Sequence, residues 1–268
     1  MKTTFALALA AALGVAGTAG ADVWDTAVFG SDNGNTTRNE ITHGFQQVHD
    51  LGAQPGPVLD QDWYVNHVEP FSSYEVVCDG FTGDTTGGAP DTLQRVDTAG
   101  NVLQDSVSYA SLGSISRSLR FANDTSAMPT GEYVRVGNAS CGTSCDNSDQ
   151  YRIRAWDTTI AVPRYNNSGT QATVLIIQNA GEVSVSGNAR LWAQAGGITP
   201  VTTVPFALGA RQAAVINLAT VNGGIANGTS GTITISHDGH YGQLAVKAVA
   251  LEPSTGFSFD SPGLNKPN

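Results

Sequence analysis

Apolar residues in this chain recur at every second position, and no stretch carries the three-to-four-residue rhythm of a long helix. Thr232-Ile233-Thr234-Ile235-Ser236 is the clearest case. Hydroxyl and isoleucine side chains alternate without a break there, which marks an antiparallel sheet with one face in water. Elsewhere short apolar runs lie between clusters of Gly, Asn, Asp and Pro, and turn signals return roughly every 8–12 residues, as in β-sandwiches. The one helix candidate, residues 41–48, is too short to weigh against this pattern and is expected to be irregular or a single strand. The predicted fold class is all-β.

The stretch 59–80, LDQDWYVNHVEPFSSYEVVCDG, reads as two strands joined by a bend at Pro70, with Asp79-Gly80 as the closing turn. Further strands follow at 93–97 and 102–103, separated by the turn Thr98-Ala99-Gly100-Asn101, and then at 118–121, 131–136 and 150–155. The Asp60-Gln61-Asp62-Trp63-Tyr64 strand, the Tyr74-Glu75-Val76 strand ending in Asp79-Gly80, and the order of the later pieces resemble the bacterial pre-peptidase C-terminal domain. That resemblance covers residues 22–159. It implies a small jelly-roll-like sandwich of the kind appended to secreted enzymes, with Trp63 in its core, and it implies an accessory role.

A change of register near residues 157–163 marks a second unit. Ile160 is expected to end a strand, Pro163 to mark the boundary, and residues 164–169 to form a turn-rich lead-in. Strands are then predicted at 172–178, 188–194, 202–206, 212–218, 231–236 and 243–251, followed by a short tail. Leu175-Ile176-Ile177-Gln178-Asn179, Leu191-Trp192 and Pro205-Phe206-Ala207-Leu208 make residues 164–260 similar to an immunoglobulin-like module of exported bacterial proteins. The expected organisation is therefore a signal peptide at 1–21, a pre-peptidase-like sandwich at 22–160 and an immunoglobulin-like sandwich at 161–268.

Lys2, an apolar run and the small residues Ala19-Gly20-Ala21 give the leader its form, and the mature protein is expected to be secreted, to the periplasm or beyond. Without the leader the net charge is (13 − 1) − 23 = −11. Such an acidic surface repels phosphate backbones, so nucleic acid is disfavoured as a partner, and no segment is long and apolar enough to span a membrane. The partners left open are polysaccharide, peptide or an envelope protein. Three cysteines in an exported chain point to one pair and one leftover thiol. Cys141 and Cys145 close the small CGTSC loop, and Cys78 sits among apolar neighbours as a buried small hydrophobe.

Reactive motifs are sparse. Ser236-His237-Asp238-Gly239-His240 groups two imidazoles and a carboxylate, which could hold a metal or supply a base. The competing reading is a hairpin at Asp238-Gly239 with solvated histidines beside it. No G-x-S-x-G or H-E-x-x-H occurs. Asp32-Asn33-Gly34-Asn35, Asp60 with Asp62, and Asp79 with Asp84 and Asp91 could offer oxygens to calcium, although none has the spacing of a dedicated loop, and solvated turns are the plainer reading. No other cofactor is implied. At least three of Trp24, Trp63, Trp156 and Trp192 are expected in the core rather than on a sugar-binding surface. These readings combine into a non-catalytic secreted or surface-associated binding or accessory protein. The rival is a secreted hydrolase with His237, Asp238 and His240 as its least improbable site residues.

Overall fold

The computed structural model describes residues 34–52, 60–82, 90–113, 115–138 and 148–266. The leader, Trp24, Asp32, Asn33, Asp84, Cys141 and Cys145 lie outside the described residues. The first half contributes β1 (Gln46–Asp50), β2 (Gln61–Val65), β3 (Ser72–Asp79), β4 (Thr92–Asp97), β5 (Val102–Asp105), β6 (Val107–Ser108), β7 (Arg117–Asn123), β8 (Glu132–Gly137) and β9 (Gln150–Asp157). The second contributes β10 (Ile160–Asn166), β11 (Ala172–Asn179), β12 (Val185–Ala193), β13 (Thr202–Leu208), β14 (Ala213–Asn217), β15 (Ser230–His237), β16 (Leu244–Glu252), β17 (Phe257–Pro262) and β18 (Leu264–Asn265).

Each half closes two antiparallel sheets over its own core. In the first, β1-β9-β3-β7-β6 faces β2-β8-β4-β5. Tyr64, Leu93, Leu119, Val134, Val136, Tyr151 and Ile153 fill the space between them. In the second, β13-β12-β15-β10-β18 faces β14-β11-β16-β17 around Leu175, Ile177, Leu191, Ile233 and Ile235. Each such side chain contributes roughly 1.5–3 kcal/mol by leaving water. The β2 and β3 strands lie in opposite sheets, so the bend at Pro70 carries the chain across the first sandwich. The β4–β5 hairpin is closed by Asp97, whose Oδ1 accepts from the amides of Ala99 at 2.8 Å and Asn101 at 2.9 Å, while Gly100 supplies φ +82°. Cys78 is fully buried in the first core, as its apolar neighbours indicate.

Several sequence expectations need correction. Ile160 opens β10 rather than ending a strand, because its side chain belongs to the second core. Pro163 lies inside that strand, at a register shift between Val162 and Tyr165 where its missing N–H breaks no ladder bond. Arg164, Tyr165 and Asn166 are strand residues, and the turn follows them. The C-terminal tail forms β17 and β18, edge strands whose exposed Phe257 and Leu264 give little sign of burial. Asp238-Gly239 does not close a hairpin: β15 and β16 lie in opposite sheets, and residues 238–243 carry the chain between them.

Two residues, Thr158 and Thr159, separate β9 from β10 and so link the sandwiches along the chain, and both are buried. The Thr158 amide and hydroxyl donate to Ser73 O and Oγ, both at 2.8 Å, and Ser73 N donates to Thr159 Oγ1 at 2.9 Å. The linker is thus bonded into β3. That strand is buried along its whole length, on both faces. In an isolated sandwich its outer residues would be wet; here the second sandwich covers them.

Candidate functional site

The segment with the densest chemistry, residues 236–240, lands in the junction between the sandwiches. His237 is 2 % exposed and His240 is partly buried, so the expectation of solvated histidines fails. His237 Nε2 lies 2.9 Å from the carbonyl oxygen of Thr158, and its Nδ1 accepts from Gly239 N at 3.1 Å. A carbonyl can only accept, so the ring is the neutral Nε2–H tautomer with both nitrogens used. Burial lowers its pKa from 6.5 to about 4.

His240 reaches the other sandwich. Its Nδ1 lies 2.5 Å from Oε1 of Glu75 on β3, and the ring of Tyr109 stacks on it at 4.1 Å. Oε1 also accepts from Ser118 Oγ at 2.8 Å, and Oε2 from Tyr241 N at 2.8 Å. Burial alone would raise the Glu75 pKa, but the bonds from His240, Tyr241 and Ser118 outweigh it and hold the carboxyl below its usual value. Asp238 points away from both histidines: its carboxylate accepts from Ser186 N and Oγ, each at 2.7 Å.

Imidazole, carboxylate and hydroxyl therefore meet, but in an order unsuited to nucleophilic catalysis. Glu75 lies between Ser118 and His240, so the serine hydroxyl donates to a carboxylate instead of a base. Ser236 Oγ, both ring nitrogens of His237, the Asp238 carboxylate and His240 Nδ1 are all engaged in contacts within or between the sandwiches.

A second set of contacts extends the junction. Arg190 on β12 pairs with Asp124 from the loop after β7, and Ser236 Oγ donates to the same carboxylate at 3.0 Å. Phe71 holds a φ of +55°, a left-handed conformation that costs a bulky residue roughly 1–2 kcal/mol. Its ring lies under the Arg190 guanidinium at 5.1 Å and edge-on to Trp192 at 5.2 Å. Sequence reasoning missed Glu75, Asp124, Arg190 and Phe71, because each finds its partner in the other half of the chain.

Two clefts open beside the junction. One, of about 410 Å³, is lined by His43, Phe45, His67, Glu69, Trp156 and Asp157, among others. Its polar groups bind largely to one another: Asp157 N donates to His43 Nδ1, Thr159 N to Asp157 Oδ1, and Lys266 pairs with Glu69. The other, of about 460 Å³, lies on the outer face of the β12–β15–β10 sheet. Trp192 lines it, with its Nε1–H fixed on Thr234 Oγ1 at 3.0 Å, together with Arg164, Gln194, Ser230 and Thr232. Ser230 Oγ donates to Gln194 Oε1 at 2.9 Å, which leaves the amide N–H₂ group as a donor.

Of the three tryptophans among the described residues, only Trp63 is a buried core residue, at 7 % exposure. Trp156 and Trp192 are half-buried and line the clefts, so the expectation of at least three core tryptophans does not hold. Of the calcium candidates, Asp79 is held by Arg152 and Arg154, and Asp62 accepts from Tyr151. Among the described residues no three His, Cys, Asp or Glu side chains converge as a metal site. No helix there is long and apolar enough to cross a membrane.

The fold and site together define an all-β protein of two sandwiches with a polar, aromatic-lined junction. No protein-family model and no curated protein matches the chain. Solved structures similar to it include a Bacteroides uniformis β-glucuronidase, at 13 % identity and a TM-score of 0.19, covering 75 % of this chain and 26 % of that one. A second, Bacteroides uniformis β-glucuronidase 2 covalently bound to cyclophellitol-6-carboxylate aziridine, shares 12 % identity at a TM-score of 0.20, covering 81 % and 32 %. The chain thus spans about a quarter to a third of their length.

Proposed function

We propose that the protein is a non-catalytic exported module that binds polysaccharide through the Trp192 cleft. The observation that supports this reading is the pairing of an indole ring with an amide and two hydroxyls around one open cavity. An indole face covers the C–H face of a pyranose, while Gln194, Ser230 and Thr232 can exchange hydrogen bonds with its hydroxyls. The engagement of His237 and His240 in the junction, and of Asp238 by Ser186, favours binding over turnover. The resemblance of the first half to pre-peptidase domains fits the same accessory role in the extracytoplasmic space.

The test is retention of the purified mature chain on insoluble cellulose, chitin, xylan and pectin, with assay for released reducing ends. Retention without release is expected, and Trp192→Ala should weaken it. Failure to bind any of these, or release of sugars that stops in His240→Ala, would contradict the proposal.

A further inference from the structure

We infer that the Trp192 cleft takes a sugar bearing a carboxylate, with the Arg164 guanidinium as its counter-ion; this rests on the glycan-binding reading above. The chain carries 23 Asp and Glu against 13 Lys and Arg, yet among the described residues no carboxylate lines this cleft and Arg164 is its one charged lining residue. The other cleft, by contrast, holds Glu69 and Asp157.

Five of the chain's ten arginines are held by its own carboxylates, and Arg164, like Arg38, Arg117, Arg120 and Arg135, is in no ion pair among the described residues. The Arg164 guanidinium lies over the Phe259 ring, 5.0 Å from the centroid, which orients the group without neutralising it. The backbone beneath it is equally fixed. The β10 bulge sets Pro163 and Arg164 opposite Thr232 alone, and Arg164 N donates to Ser261 Oγ at 3.1 Å.

A planar guanidinium offers two parallel N–H donors that match a carboxylate, and charge-assisted bonds are about twice as strong as neutral ones. Trp192 would take the ring face, Arg164 the acid group, and Gln194 and Thr232 the hydroxyls. An anion on a flexible peptide could satisfy Arg164 too, but the amide and hydroxyl groups around Trp192 favour a rigid polyhydroxylated ligand.

The experiment is calorimetric titration of the full chain with oligosaccharides of galacturonate, mannuronate and glucuronate-bearing xylan. Each is compared with its methyl-esterified form and with neutral oligosaccharides of equal length. At least one free acid should bind about tenfold tighter than its own ester. Arg164→Gln should remove that difference, and Trp192→Ala should weaken both forms. Melting temperatures of the variants check that the fold is intact. Equal affinity for acid and ester, or a preference that survives Arg164→Gln, overturns the inference. Binding of neutral glycans with no acid preference does so while leaving the glycan-binding reading in place. No binding of any glycan removes both.

Discussion

Glu75 on β3 and His240 in the β15–β16 crossover lie 2.5 Å apart, a carboxylate of one sandwich against an imidazole of the other. Their separation in sequence is 165 residues. Glu75 is 2 % exposed, and such a carboxylate is costly unless fully bonded. Two of its three partners, His240 and Tyr241, come from the second sandwich, and Ser118 from its own. The first sandwich is therefore complete only when the second is docked.

Acid should loosen the junction before it unfolds either core. His237 titrates at about 4 in the fold and near 6.5 when unfolded. Its neutral form is built in, so its contribution is whole above pH 6.5 and drains as pH falls from 6.5 towards 4. The loss approaches about 3 kcal/mol. Glu75 and Asp124, both held below their usual values, add losses in the same direction at lower pH, whereas the raised Asp157 opposes them. Urea unfolding at pH 7.5, 5.5 and 4.5 should show this decline. His237→Gln should flatten the part above pH 4; an unchanged slope would contradict the assignment.

Asp124→Ala should destabilise the protein by about 2 kcal/mol, because it leaves Arg190, 3 % exposed, with Ser236 as its remaining polar contact. Glu182→Ala removes an ion pair from Arg211 in which both side chains are more than 70 % exposed, and should cost less than about 1 kcal/mol. Equal losses in denaturant titration would show that the junction pair has no special weight.

Cys78 should be inert in the native protein. It is fully buried, and burial with the nearby Asp79 and Asp62 charges pushes its thiol well above the ordinary range. Thiol titration without denaturant should find no reaction at this residue. In denatured, unreduced protein it should find one thiol if Cys141 and Cys145 are paired, as their spacing suggests, and three if they are not.

Much of the fold was legible because strand identity is a local property. Alternation such as Thr232 to Ser236 and turns such as Thr98 to Asn101 depend on neighbours in sequence, and the strands carrying those signals fell close to their expected bounds, whereas β10, β17 and β18 were not read as strands. The junction was not legible, for a physical reason. Ser236 continues the hydroxyl side of a wet face, yet it is 1 % exposed because another sandwich covers it. Asp238-Gly239 has hairpin chemistry, but a turn signal does not say which sheet receives the next strand. Pro163 was read as a boundary because proline avoids ladders, and the bulge that accommodates it has no signature of its own. The histidine cluster stood out in sequence but was read as a solvated turn, and its partners Glu75, Tyr109 and Thr158 could not be read from its surroundings.

A double-mutant cycle on Glu75 and His240 tests the central claim, that this segment locks the two sandwiches together. Glu75→Gln, His240→Asn and the double variant would be unfolded in urea near pH 7. The account predicts that each single change costs about 2 kcal/mol and that the double change costs much less than their sum, a coupling of about 1–2 kcal/mol. Strictly additive losses would contradict it.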